Sequence, residues 1–272
     1  EHMAFKLMGD ELKLADDPVL REHWVKEILP GLKQSTRKST EVICKKTGIN
    51  EEDLTGIFPI HPYAALLLKY LSTAFESNQR SMFEFIKNDA GDTLRGFQWF
   101  IHTYGPYSTN NLFLTVDMLW DFFYEKNKNH LPPNILSIFN CYEIASSGTL
   151  TLSEEKVFKS ILLLEAISQK VGNSVPLFIA NEENLNNIFD GDNNLRNGAA
   201  THTAEKLVQD NLLFPNKLKS GDIQYTPFIN AIDPQELKKR RESIEKEKTT
   251  QRLIDEGELG AAIQLPRALA PR

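Results

Sequence analysis

The chain has 272 residues, 41% of them hydrophobic and 25% charged, with a formal net charge of -6. This is the balance of an ordinary globular protein with room for two or three small domains. It excludes attraction of the whole molecule to nucleic acid, so any such contact has to be local. No apolar run approaches the ~20 residues that span a bilayer, and Glu1-His2-Met3-Ala4 does not read as a signal peptide. Cys44 and Cys141 stand far apart in no metal-ligand spacing and read as free thiols of a reducing, cytoplasmic compartment.

Asp17 to Leu32 is predicted to be an amphipathic helix. Asp17 caps it, Pro18 takes the first helical position, and Val19, Leu20, Trp24, Ile28 and Leu29 recur at helical spacing until Pro30-Gly31 ends it. Thr40 to Lys46 reads as a short second helix, and Gly48 to Gly56, with Glu51, Glu52 and Asp53, as a polar loop. The stretch from Phe58 to Ile86 organises the chain. Pro59 and Pro62 bracket His61 in an extended turn, and Pro62 then opens an apolar helix through Phe75. Ser77-Asn78-Gln79 breaks that helix ahead of Arg80, and Ser81 to Ile86 is helical again. Leu94 to Tyr104 and Leu114 to Lys126 are aromatic-rich, Ile135 to Ala145 is a further helix, and Ser146-Ser147-Gly148 marks a boundary.

Beyond it, helices are expected from Ser153 (as N-cap), over Asn181 to Phe189 and over Ala199 to Leu212. The first should turn Val157, Ile161, Leu164 and Ile167 inward. Two strands around Lys217 to Asp222 follow, with Gly221 supplying positive φ at the turn. Three helices and a hairpin are the order of a winged helix, so the expected fold class is mainly α with a small β-hairpin. Pro234 to Glu256 reads as a charged helix with four-residue pairs such as Glu236/Arg240 and Arg241/Glu245.

No phosphate loop of the G-x-x-x-x-G-K-S/T type, no G-x-S-x-G, no H-E-x-x-H and no C-x-x-C is present. The six histidines are scattered. No catalytic residue and no metal ligands can be nominated, which argues against an autonomous enzyme. Arg80, mounted at a helix break, suits phosphate contact or a structural ion pair. In the winged helix, His202, Thr203, Lys206 and Gln209 would face a partner from the third helix, with Lys217 and Lys219 on the wing. From Ser153 to Asn230, seven lysines and arginines stand against ten acids, a net of -3. That is weak for duplex DNA and leaves a protein partner the more natural occupant.

FPIHPYAALLL followed by SNQRSMFEFI resembles the lid region of large bacterial AAA-type P-loop ATPases, including those of phage-defence and restriction systems. The following winged helix is similar to the layout of the origin-recognition ATPases. The resemblance covers about Gly56 to Phe228. It implies an upstream ATPase core that binds ATP and Mg, neither of which this chain would hold alone. It also implies that Arg80 senses nucleotide phosphates and that His61 and Pro62 shape the hinge. Ring or dimer assembly is common in such ATPases.

The resulting division is a helical lead-in at 1–56 edging the core, a lid at 57–148, a winged helix at 149–230, and a charged helix and tail at 231–272. Both ends read as cut, so the chain is expected to be the regulatory fragment of a larger ATPase. That fragment would couple nucleotide state to DNA or protein binding. The alternative is a stand-alone helical adaptor working through Phe97 to Tyr124 and Glu236 to Lys248.

Overall fold

The amphipathic stripe at the N-terminal side forms, but not as one regular α-helix. In the computed structural model, α1 (Pro18–His23), a π-helical turn (Trp24–Ile28) and α2 (Leu29–Ser35) run on without a break. Pro30-Gly31 therefore does not end the helix. The Leu29 N–H donates to the Trp24 carbonyl, five residues back. That wider turn comes just before Pro30, which has no N–H and whose ring crowds the carbonyl four residues earlier. The extra residue also rotates the stripe. Val19 is 73% exposed, whereas Trp24, Ile28, Leu29 and Leu32 pack with Phe58 and Phe113 in a small cluster of their own. The structure describes residues 18–74, 80–104, 112–127, 131–146, 150–171 and 175–229, apart from the side chains of 20, 72–74, 80, 81 and 125–127. The charged helix and tail expected at 231–272, and the Ser77-Asn78-Gln79 break, lie outside the described residues.

α3 (Arg37–Thr47) brackets the expected second helix. The polar loop expected next is instead α4 (Glu51–Thr55). Extended Asn50 stands at its N-cap position, and Glu51, Glu52 and Asp53 fill the first turn, where carboxylates favour the positive end of the helix dipole. α5 (Pro62–Ala74) starts at Pro62 as expected and is buried over Tyr63 to Leu68. α6 (Arg80–Lys87) and α7 (Phe97–Thr103) follow, then a 3-10 turn (Val116–Met118), α8 (Leu119–Asn127) and α9 (Pro133–Ser146). The aromatic stretch proposed as an adaptor surface is largely interior. Phe97, Phe100, Trp120, Phe122, Phe123 and Tyr124 are each at most 5% exposed. Edge-to-face contacts such as Phe85–Phe122 at 5.2 Å and Trp120–Phe139 at 4.7 Å join them to the core.

α10 (Leu152–Val171) is the central element and packs against α5 and α9. Beyond it, α11 (Glu182–Ile188), α12 (Ala199–Gln209) and the strands β1 (Leu213–Lys217) and β2 (Ile223–Pro227) complete the fold. α12 and β2 pack against α10 as well. The expected one-sided face of α10 is thus too narrow. Phe158, Leu162 and Leu163 are also fully buried, because a helix surrounded by partners has no solvent face along its middle. Its N-terminus is capped by Thr151, not Ser153. The Thr151 N–H donates to Glu154 Oε2 at 2.7 Å, and the Glu154 N–H donates to Thr151 Oγ1 at 3.3 Å, a reciprocal capping box.

β1 and β2 pair antiparallel with Leu213 opposite Pro227 and Lys217 opposite Ile223. Gly221 turns the hairpin at φ +98°. Asn181 adds a single bridge to Gln224 of β2, and the Tyr225 N–H donates to the Ala180 carbonyl at 2.8 Å. Three helices, a hairpin and a third extended segment before the second helix give the winged-helix order. One hydrophobic core runs from Ile43 to Tyr225, drawing on both sides of the boundary expected at 148/149.

Candidate functional site

The Pro-Ile-His-Pro turn is fixed by main-chain bonds before its side chains act. The Phe58–Pro59 bond is cis. The His61 N–H donates to the Leu114 carbonyl at 3.0 Å, and the Leu114 N–H donates to the Pro59 carbonyl at 3.0 Å. His61 is fully buried. Its Nδ1 accepts the Tyr63 N–H at 3.2 Å and its Nε2 lies 3.0 Å from the Asp190 carbonyl oxygen. A backbone N–H can only donate to an unprotonated nitrogen, so the hydrogen-bond network places the proton on Nε2, and the ring is neutral. Burial lowers its pKa to about 4, against the opposing pull of the Asp190 carbonyl.

One residue beyond Pro62, Tyr63 makes a second link from the same turn. Its hydroxyl donates to Asn184 Oδ1 at 2.9 Å. The Asn184 amide donates to the carbonyls of Pro176 at 2.7 Å and Ile179 at 2.8 Å. Its own N–H is accepted by the Asn181 cap at 3.0 Å. Every polar group of this buried asparagine is therefore used, joining α5 to the start of α11. Burial pushes the Tyr63 phenol well up.

Asp190 reaches back as well. Its Oδ2 accepts the Ser39 N–H at 3.1 Å, and burial raises its carboxyl above the usual range. The next residue, Gly191, has φ +88°, and a Cβ there would lie 3.2 Å from the Phe113 ring and 3.4 Å from the Ser35 carbonyl. Only glycine meets both conditions without displacement. The Pro-Ile-His-Pro turn is thus bonded through His61 to Asp190 in the α11–α12 loop, and α5 is bonded through Tyr63 to α11.

Arg80 is the first residue of α6, and its side chain lies outside the described residues. The winged-helix candidates meet different fates. His202 and Gln209 are exposed, with His202 Nδ1 3.5 Å from Glu205. The Thr203 hydroxyl donates back to the Ala199 carbonyl at 2.8 Å. Lys206 is committed to Glu154, whose carboxylate it holds below the ordinary range together with the Thr151 N–H. Lys217 and Lys219 stand exposed on the wing.

Sequence reasoning missed a cleft between α11, α12 and the hairpin, about 560 Å³ in volume. Glu182, Glu183, Glu205 and Asp222 line it with Thr201 and Tyr225, and none of its lining residues is lysine or arginine. Tyr225 is 4% exposed, and burial followed by the Glu205 and Glu182 charges pushes its phenol up. Thr201 is 9% exposed, and its hydroxyl has no hydrogen-bond partner among the described residues. Four residues earlier, Asn197 is in a left-handed conformation at φ 57° outside α12, so Thr201 lacks the helical carbonyl that serves Thr203.

Among the described residues no group of histidine, cysteine and carboxylate side chains could hold a metal ion, and no helix is long and apolar enough to cross a membrane. No protein family, curated protein or solved structure matches this chain.

Proposed function

We propose that this chain is the lid and winged-helix portion of a nucleotide-driven switch, an AAA-type P-loop ATPase of the phage-defence class, acting in the cytoplasm. ATP and Mg would be held by the upstream core, because this chain has no phosphate loop of its own. From this chain, Arg80 would meet the nucleotide phosphates. The observation that carries the reading is the His61–Asp190 bond of 3.0 Å. The turn that bears the family resemblance is bonded to the loop that introduces α12, so rotation of the lid would carry the winged helix with it.

The partner on the winged helix is proposed to be a protein. Lys206, the cation best placed on the exposed helix for a DNA phosphate, is tied to Glu154, and acids line the neighbouring cleft. The test is ATP turnover by the intact polypeptide that contains this chain, alone or as a homo-oligomer, with Arg80 native and as Arg80→Ala. A fall of about tenfold or more supports the reading; unchanged turnover removes Arg80 from the nucleotide site. A stand-alone adaptor is the second reading, favoured by the acidic cleft, which needs no nucleotide to be available.

A further inference from the structure

The hairpin leaves one of its two faces uncovered. Leu213, Tyr225 and Pro227 turn inward and are buried, so the alternation of the strands puts Phe214, Asn216, Gln224, Thr226 and Phe228 on the other face. Phe214 is 53% exposed and Phe228 is 54% exposed. They stand diagonally across the register, Phe214 opposite Thr226 and Phe228 two residues further on. An added strand finds little to bond at either edge. On one edge the Tyr225 N–H is taken by the Ala180 carbonyl. On the other, the Phe228 N–H donates to the Leu212 carbonyl at 3.2 Å and the Leu218 N–H to the Asp222 carbonyl at 2.8 Å. In an antiparallel ladder Phe214 and Asn216 then bond inward, and position 215 faces the open edge. Pro215 stands there and has no N–H to offer. The tip of the hairpin is cationic. Lys217 and Lys219 are exposed, and neither has a carboxylate partner among the described residues. Asp222, the one acid of the hairpin, accepts the Ser220 hydroxyl at 2.8 Å.

We propose that this outer face is the docking surface for an acidic, aromatic-bearing segment of a protein partner, with its apolar side chains on Phe214 and Phe228 and its carboxylates on Lys217 and Lys219. Apolar area beside unpaired cations calls for a partner that brings both apolar groups and negative charge. Phe214 and Lys217 are three residues apart, about 10 Å of strand, so an extended segment of a few residues reaches both. A nucleic acid fits less well. It carries a charge on every nucleotide, and the cleft beside the hairpin is lined by Glu182, Glu183, Glu205 and Asp222. A peptide can confine its carboxylates to the lysine tip. The inference rests on the protein-partner reading of the winged helix and names the partner's chemistry.

The test is fluorescence anisotropy of the full chain with a fluorescein-labelled peptide, Glu-Glu-Ser-Phe-Ser-Phe-Ser-Glu-Glu, whose acids at both ends allow either chain direction. A peptide with lysine for glutamate, one with serine for phenylalanine, and a labelled DNA duplex and single strand run in parallel. Phe214→Ser with Phe228→Ser is expected to weaken the acidic peptide by about tenfold, through loss of apolar area that the free protein leaves half exposed. Lys217→Gln with Lys219→Gln is expected to weaken it by about threefold and to flatten its salt dependence, as for two exposed charge contacts. Neither pair belongs to the core, so melting temperatures should stay at the native value, and the lysine pair decides the matter if the phenylalanine pair melts lower. Glu41→Gln, remote on α3, should leave binding unchanged. No binding to the native protein, equal affinity in native and double-variant proteins, or a peptide lacking its acids or its aromatics that binds as tightly each overturns the surface. So does self-association of the native chain, read by sedimentation velocity, that the phenylalanine pair abolishes, since the face would then serve a second copy. Nucleic acid is judged apart from these. Tight, salt-sensitive binding of either DNA would defeat the protein-partner reading even if the peptide binds, and its absence leaves that reading standing if the peptide fails.

Discussion

Replacing His61 by asparagine should change how stability depends on pH more informatively than it changes stability itself. His61 is fully buried, and burial lowers its pKa from the ordinary 6.5 to about 4. Above the ordinary value the ring is neutral in both folded and unfolded chains and contributes no pH dependence. As pH falls below it, the unfolded chain takes up a proton that the folded chain refuses, so stability declines until the folded pKa is reached. At ~1.4 kcal/mol per pH unit, the full interval from 6.5 to about 4 is worth ~3 kcal/mol, of which ~2 kcal/mol should be lost between about pH 7.5 and pH 5. Buried Asp117 and half-buried Glu165 and Asp190, all raised by loss of solvent, titrate in the opposite sense and are common to both proteins. Guanidinium unfolding at the two pH values isolates the difference. The native protein should lose ~2 kcal/mol more than His61→Asn or His61→Gln. Parallel losses in all three would refute the buried, neutral histidine and its bond to Asp190.

Asn184→Ala removes the acceptor for Tyr63 and donors to two carbonyls, leaving buried groups unpaired, and is expected to cost ~3 kcal/mol or more by chemical denaturation. Gly191→Ala forces a side chain into positive φ against the Phe113 ring and is expected to cost ~1–2 kcal/mol, read as a lower melting temperature. Glu154→Ala opens the capping box of α10 and frees Lys206, with an expected loss of ~1–2 kcal/mol. Since the Glu154 carboxyl is held low, its stabilising contribution is present above the ordinary carboxylate pKa and fades as pH falls through the depressed one. The variant should therefore lose acid sensitivity as well as stability.

Much of the architecture was legible because it is written locally. Pro62 at a helix start, the apolar run after it, and strands flanking Gly221 are short-range signals, and each appears where expected. What failed locally had readable causes. The π-turn before Pro30 continues a helix that proline was expected to end, and Asn50 with three acids starts a helix inside a polar stretch. The Thr151-x-x-Glu154 spacing is a capping-box signature in the sequence itself, and it prevails over Ser153 because it serves two main-chain N–H groups reciprocally. Other features had no local signature. The Asp190 group that meets His61 is a backbone carbonyl, which any residue would supply. The Thr201 hydroxyl is set apart from that of Thr203 only by the turn at Asn197-Gly198. The aromatic stretch could be read as surface or interior from its composition, and tertiary packing decided for interior.

Hydrogen exchange over α11, α12 and the hairpin of the intact polypeptide, with and without ATP, decides whether the His61 contact carries a signal. The native protein should show ATP-dependent protection in these elements, and His61→Asn should lose that response while turnover persists. An equal response in both proteins, or none in the native one, would contradict the coupling.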